Sequence, residues 1–369
     1  MLGERLKQVR TARGLSQRDI AQAVGVSATA ISYYETGKDY PSSGVLLRLA
    51  SALNVTLDYF FRTVSVHLGE PAYRKHSSLT DSRRIGIENM VRDRVERYLE
   101  AEALFLEGGT SVQPILDVAS APITDIEGAE TRAKELRELW GLMHYPVGNL
   151  TELLEEHRIK VIYISGCDEF DGCAYPDGDV PVVVVNQDKP GDRIRFDLAH
   201  ELGHLLLRFV GDWEEAAQER AAHRFAGALL APAEAVVNEL GSRRFRLSLR
   251  ELHGLKHKYG MSMQAWIYRA RDLDIISKTV SGQLFGTFRK NNWTLMEPGT
   301  QYGRESTDRC GRLVARAYVD RIISEGRAAE LLGIPLADAA ERLREMGAGQ
   351  DRLSDVSQDR CGGAAVATM

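Results

Sequence analysis

The sequence has no apolar run approaching the about 20 residues that a membrane span requires. Its opening residues, MLGERLKQVR, lack the apolar centre of a signal peptide. Both absences predict a chain without a membrane anchor, working in the cytoplasm. Cysteine is scarce: the four, Cys167, Cys173, Cys310 and Cys361, contain no C-x-x-C pair. That excludes a paired-thiol redox site or a zinc ribbon and fits a reducing compartment. Basic charge is not in excess either, since 47 Lys and Arg face 52 Asp and Glu for a net charge of -5. The chain as a whole is therefore no nucleic-acid coat, although a small basic module can sit within such a balance. What remains, 44% hydrophobic and 27% charged over 369 residues, is an ordinary globular composition with room for two or three domains.

The most specific stretch is FDLAHELGHLLLRF, Phe196 to Phe209. Residues four apart on a helix lie one turn above each other on one face, so His200 and His204 can aim imidazole nitrogens at one ion. Glu201 stands to one side, in reach of a water but not of the metal. This is the H-E-x-x-H arrangement of zinc peptidases, in which the carboxylate takes a proton from the water. A buried helix with two hydrogen-bonded core histidines is the plainer alternative. It would bury three titratable groups among Leu198, Ala199, Leu202, Leu205, Leu206 and Leu207, at several kcal/mol per unpaired ion.

The first 61 residues break into short helical pieces with apolar positions at Leu6, Val9, Leu15, Ile20, Ala21, Val24, Val26, Ile31, Leu46, Leu49 and Leu53. Ser16 can cap a helix from Gln17 to Ala23, Gly25 can supply a tight turn, and Ser27 can cap a second helix from Ala28 to Glu35. The run LSQRDIAQAVGVSATAISYYETGKDYPS resembles the XRE, or lambda-repressor-like, helix-turn-helix family. The resemblance implies that Ala28 to Tyr34 is a recognition helix for double-stranded operator DNA. It places Ala28, Thr29, Ser32 and Tyr33 toward the major groove, with Gln17 and Lys38 on phosphates. It also implies a homodimer, since such modules read paired half-sites. The residues themselves leave open a helical bundle used for protein contacts.

Between these regions, Thr63 to Lys75 reads as linker and Asp81 to Phe105 as a long charged helix with an apolar seam. That helix could pair two subunits or lie against a neighbouring domain. Gly108 to Pro122 reads as irregular chain and Ile126 to Leu142 as an amphipathic helix. A further helix ends near His157. IKVIYIS, FDGCAY and PVVVVN then have strand character, and PVVVVN is the candidate for the strand nearest the site, where a substrate could add as a strand.

A catalytic zinc needs a third protein ligand and an open position. Leu207 and Val210 stand where a metzincin carries Gly and His, so that class is excluded. A second helix, EEAAQERAAHRFAGALLAP, carries Glu219 one turn before His223, and either could reach the ion. The segment Pro146 to Pro232 resembles the ImmA/IrrE metallopeptidase family through NLTELLEE, FDGCAY, VVVVN, RIRFDLAHELGHLLL and ERAAHRFAGALLAP. That resemblance implies Zn2+ held by His200, His204 and Glu219, with Glu201 as general base. His223 departs from the family's usual Asn. It is a rival ligand or a group behind the ligands that stabilises the tetrahedral intermediate. MSMQAWIYRARDLDIIS, Met261 to Ser277, resembles the segment that closes this domain.

Helices are expected at about Asp308 to Glu325 and Gly326 to Leu332. SEGRAAELLGIPLADAAERLREMG has a helix, Gly turn, helix pattern, read as a helical hairpin or a second nucleic-acid module. The expected fold is mainly α with a small β-sheet, α+β in class. It comprises an all-α helix-turn-helix domain at 1–61, a linker and long helix at 62–125, and a zincin-like peptidase domain at 126–277. A helical region follows at 278–346, and a disordered tail at 347–369. The implied function is a DNA-binding transcription regulator with a zinc endopeptidase of the toxin-antitoxin or stress-response kind. Its expected substrate is a helix-turn-helix repressor or antitoxin, itself included. The alternative is a non-proteolytic sensor whose metal site is structural or ligand-binding.

Overall fold

The computed structural model describes residues 2–61, 66–71, 79–105, 122–305 and 308–346. The tail from Gly347, residues 63–65 and 72–75 of the linker and the irregular segment 108–121 lie outside the described residues. In chain order the helices begin with α1 Leu2–Ala12, α2 Gln17–Val24, α3 Ala28–Thr36, α4 Ser43–Ala52, α5 Asp81–Ala103, α6 Ile126–Leu139 and α7 Leu150–Glu156. Strands β1 Lys160–Ile164, β2 Gly172–Tyr175 and β3 Val182–Asn186 follow. The helices resume with α8 Gly191–Leu206, α9 Glu215–Leu230, α10 Ala233–Leu240, α11 Leu249–Tyr259, α12 Met263–Asp272, α13 Lys278–Lys290, α14 Arg309–Val319 and α15 Glu325–Leu332. A last described helix spans 336–346. The fold is thus mainly helical with one small sheet, as the sequence predicts.

The chain folds into two compact units. One holds the described residues 2–61, 66, 80–105 and 308–346, and the other 67–71, 79 and 122–305. In sequence, residues 122–305 of the second unit lie between α5 and α14, and its residues 67–71 and 79 precede α5. In the first unit, Leu6, Val9, Ile20, Val24, Ile31, Leu49, Leu53 and Phe60 form the core. Helix α5 lies along α1, joined to it by a buried ion pair between Arg5 and Glu96 and by Asn89 donating to Thr11 at 2.8 Å. Its other end packs Ala101 with Val314, Ala315, Ala328, Leu331 and Leu343, and Glu100 pairs with Arg327. Within the unit, then, the long charged helix serves as the shared support for the helices on either side of the insertion.

In the second unit the sheet order is β1-β3-β2, with β1 parallel and β2 antiparallel to β3. The expectation that β3 could take a substrate strand is corrected here. Val182–Asn186 is the middle strand and has ladder partners on both sides, which is what an all-β-branched, fully buried run favours. The outer strand on that side is β2. Helix α8 buries Leu198, Ala199, Leu202, Leu205 and Leu206 in the main core together with α9 residues Ala222, Phe225, Ala226 and Leu229.

Charged groups fix how these helices sit. Glu130 of α6 accepts from Arg224 of α9 at 2.6 Å and from Arg269 of α12 at 2.6 Å, so one carboxylate bolts three helices. Burial alone would raise the Glu130 carboxyl, but the two guanidiniums outweigh it and hold it below its ordinary value of 4.5. A carboxyl depressed in the folded state contributes stability above its unfolded value, and that stability is lost as pH falls through the folded one. Glu130→Gln is therefore expected to cost about 3 kcal/mol at neutral pH. It should also flatten the loss of thermal stability below about pH 4.5, measured by melting across pH; an unchanged acid limb would contradict this role for Glu130.

Candidate metal centre and nucleic-acid interface

The putting-together of the centre begins with Gly203, a residue the sequence motif leaves unassigned. A Cβ there would lie 3.2 Å from the Phe225 ring and 3.4 Å from Ala222 Cα, so the missing side chain lets α8 and α9 approach closely. That approach brings α9's Glu219 onto α8's histidine face. His200 Nε2 and His204 Nε2 are 2.9 Å apart. The Glu219 carboxylate lies 3.4 Å from the first and 3.2 Å from the second.

These spacings can be tested against an ion. Zinc bonds of about 2.0–2.1 Å at tetrahedral angles put ligand atoms about 3.3–3.4 Å apart. The Glu219 contacts, one through each carboxylate oxygen, fall near that spacing, while the two imidazole nitrogens sit closer, and two imidazoles with one carboxylate are a donor set that suits zinc. His223 stands on the next turn of α9 with its ring 4.4 Å from the His200 ring. Its ligand atom falls within 4.8 Å of those of His200 and Glu219. His200 is fully buried and His223 exposed, so the centre opens toward solvent past His223. The Nδ1 atom of His200 is buried and makes no hydrogen bond among the described residues, so the outer partner common behind a ligating histidine is absent there.

Glu201, 1% exposed, lies over Gly172 at the start of β2. A Cβ on Gly172 would sit 3.0 Å from Glu201 Oε1 and 2.9 Å from the Val184 carbonyl, so only glycine leaves this carboxylate its place. Lys189 holds the same corner, pairing with Asp171 and, at 2.7 Å, with Asp197 of α8. Near its N-terminus α8 is anchored by Arg195, which donates to the Gly148 carbonyl at 2.6 Å and pairs with Glu305. Burial lowers the Arg195 guanidinium, which keeps its charge all the same. Asp192 and Glu297 both meet the buried Lys256 ammonium at 3.1 Å. Gly172 and Arg195 lie inside the resembling stretches FDGCAY and RIRFDLAHELGHLLL without an assigned role, and Lys189 lies outside them; the folded contacts supply the role of each.

The first unit presents the sequence-predicted DNA set on and beside α3. Thr29 and Tyr33 are exposed, Tyr33 at 45%, and Lys38 stands 5.8 Å over the Tyr33 ring. Ser32 is half-buried, and Ala28 packs partly against the module's core. The Gln17 amide donates to Glu35 at 2.7 Å, and Glu35 also takes Arg10 at 2.5 Å, so Gln17 braces α2 against α3. Ser16 forms a capping box with Asp19, and its hydrogen bonds hold the Asp19 carboxyl below the ordinary range.

If His200, His204 and Glu219 hold the ion, full-length protein takes up about one equivalent of Zn2+. Glu219→Ala should then lower affinity by about 100-fold or more, and His223→Ala by under about tenfold. Competition against a chromophoric chelator measures both, and the reverse order would place the third ligand at His223.

Comparison with known proteins fits this division. The family model for the helix-turn-helix matches residues 6–60, and that for the IrrE N-terminal-like domain matches residues 154–271. A transcriptional regulator of the ATPase CF(0) region of Rhodospirillum rubrum is 39% identical over 72 residues, covering 20% of this chain and 65% of that protein. The SPbeta prophage-derived HTH-type transcriptional regulator YonR of Bacillus subtilis is 37% identical over 62 residues, 17% of this chain and 57% of its own length. HTH-type transcriptional activator BcrR of Enterococcus faecalis is 42% identical over 55 residues, 15% of this chain and 27% of that protein. The chain thus spans no more than 65% of these relatives. Among solved structures, Bacillus thuringiensis PlcR with the peptide PapR7 and DNA aligns at 11% identity over 98% of this chain and 99% of that one. Its TM-score of 0.18 carries no argument. The two matched stretches fall one in each compact unit, so the first unit carries a helix-turn-helix module and the second an IrrE N-terminal-like domain.

Proposed function

We propose that the chain is a DNA-binding regulator whose residues 126–277 carry a zinc-dependent endopeptidase and whose residues 1–61 read an operator. The observation that carries the peptidase reading is the Glu219 carboxylate closing on both imidazole nitrogens of the H-E-x-x-H helix, with Glu201 buried beside them. His200, His204 and Glu219 are the ligands. When bound, zinc polarises the scissile carbonyl and brings the pKa of a water toward about 7.

Glu201 takes the proton of the attacking water and hands it to the departing amine. Its position against β2 keeps bulk solvent off the carboxylate. His223, at the solvent side, donates a hydrogen bond to the oxygen on which negative charge develops. In the DNA module, Thr29, Ser32 and Tyr33 meet base edges and Lys38 a phosphate, while Ala28 offers only a methyl at the edge of the core. Reading paired half-sites makes the working species a homodimer.

The substrate class that fits is a helix-turn-helix repressor or antitoxin, supplied by a neighbouring gene or by a second copy of this chain. The experiment incubates purified, zinc-loaded protein with such co-encoded regulators and with itself, and follows cleavage by mass. Glu201→Gln should keep about one zinc per chain and lose cleavage by about a thousandfold or more, as expected for removal of a general base acting with the metal. Cleavage at the wild-type rate by that variant contradicts the assignment. Normal DNA binding with no cleavage by either protein favours a sensor whose metal site is structural.

A further inference from the structure

Residues 324–343 repeat the local build of residues 16–35 at a constant separation of 308 positions. Ser16 and Ser324 are both extended N-caps, at φ -76, ψ 163 and φ -79, ψ 163. Each accepts a hydrogen bond from the backbone N–H three residues on, Asp19 and Arg327. The helices they open, α2 and α15, are both 8 residues long. Both end at a left-handed glycine, Gly25 at φ 69 and Gly333 at φ 68. Behind each glycine the next residue turns back in the same way, Val26 N to Ala21 O at 3.0 Å and Ile334 N to Ala329 O at 3.1 Å.

Burial keeps the same register. Ile20 and Ala21 correspond to Ala328 and Ala329, and Ile31 to Ala339, all buried. The turn alone says little, since Gly260 makes a left-handed turn between α11 and α12 as well. There, however, the capping Ser248 stands three residues further ahead of its glycine than Ser16 and Ser324 stand of theirs. One position differs in kind: Glu35, which pairs with Arg10, corresponds to Leu343, which packs with Val314 and Leu331. The second hairpin is closed by apolar contact where the first uses a buried ion pair.

We propose that residues 308–346 are a second helix-turn-helix unit whose helix 336–346 enters the major groove of double-stranded DNA, so that one chain reads two elements. The proposal rests on the DNA reading of residues 2–61. Both hairpins belong to one compact unit supported by α5, the second directly through Glu100 to Arg327, the first through α1, whose Arg5 pairs with Glu96 and whose Arg10 pairs with Glu35 of α3. Carrying the groove-facing positions across puts Leu336, Ala337, Ala340 and Glu341 on the reading face. Leu336 is 57% exposed, Ala337 and Glu341 are exposed and Ala340 is half-buried.

That set has a definite chemistry. Apolar side chains meet the thymine methyl, and a carboxylate accepts from cytosine N4. The seven arginines of residues 308–346 are balanced by seven acids. The second unit therefore adds little phosphate attraction, and its contribution is sequence preference at one element.

The test selects duplexes from a random pool with full-length protein. The wild type is expected to enrich two elements, one containing cytosine. Glu341→Gln, on an exposed position, should turn the preferred base there from cytosine toward adenine. It should lower affinity for the wild-type site by about tenfold while thermal stability holds. Selection of unchanged sequences with unchanged affinity by Glu341→Gln and Leu336→Gln would overturn the inference and leave the reading of residues 2–61 standing. A uniform rise in affinity for all sequences, as from removing a negative charge near phosphates, would overturn it equally, and would leave a protein surface as the role of this hairpin. Enrichment of no duplex by the wild type would remove both readings.

Discussion

The close contact of α8 with α9 at Gly203 is the constraint on which the centre depends. An imidazole pair four residues apart can face one point on any helix, but the carboxylate of Glu219 comes from a different helix and arrives only if the two axes approach. The Phe225 ring and Ala222 backbone occupy the space that a side chain at 203 would need. Because interiors are packed to crystal-like density, a shift of a few tenths of an ångström here moves the carboxylate by a comparable amount. The 3.2 and 3.4 Å spacings to the two imidazoles would open with it.

The surrounding charges serve the same end. Two buried charges of α8 hold it near its N-terminus: Arg195 on the Gly148 carbonyl and Glu305, and Asp192 on Lys256. Burying such charges costs several kcal/mol each unless they are paired, so they are poor devices for raising stability and good ones for fixing position. Glu297 completes the group by accepting from the backbone N–H of Met263 and Gln264 at 2.9 Å, which ties the start of α12 to the same lysine. A helix clamped near one end and held at a glycine contact further along is a preorganised scaffold for the side chains that it presents.

Much of this was legible in the residues. Helical spacing alone groups His200, Glu201 and His204, and the caps at Ser16 and Ser27 with Gly25 between them outline the helix-turn-helix. Glu219 and His223 could not be separated by spacing, since both lie on the same helix one turn apart. The folded distances bring Glu219 to both nitrogens. The middle place of Val182–Asn186 is not legible in sequence, because a run of four valines looks the same at the edge and in the middle of a sheet. Gly203 and Gly172 were invisible as functional residues, since what matters about each is the neighbour that a side chain would strike. The sharing of α5 by helices on both sides of the insertion is a long-range pairing that no local pattern encodes.

The chain therefore inserts, in sequence, an IrrE N-terminal-like domain with a candidate metal centre into a unit that carries a helix-turn-helix. The identity of the third ligand is central, because a carboxylate from α9 gives a two-histidine, one-glutamate site where His223 would give a three-histidine one. X-ray absorption at the zinc edge of the loaded full-length protein addresses it directly. The expected result is two imidazoles in a four-coordinate shell of nitrogen and oxygen at about 2.0–2.1 Å, unchanged in count by His223→Ala. Three imidazoles in the wild type, falling to two in that variant, would contradict it.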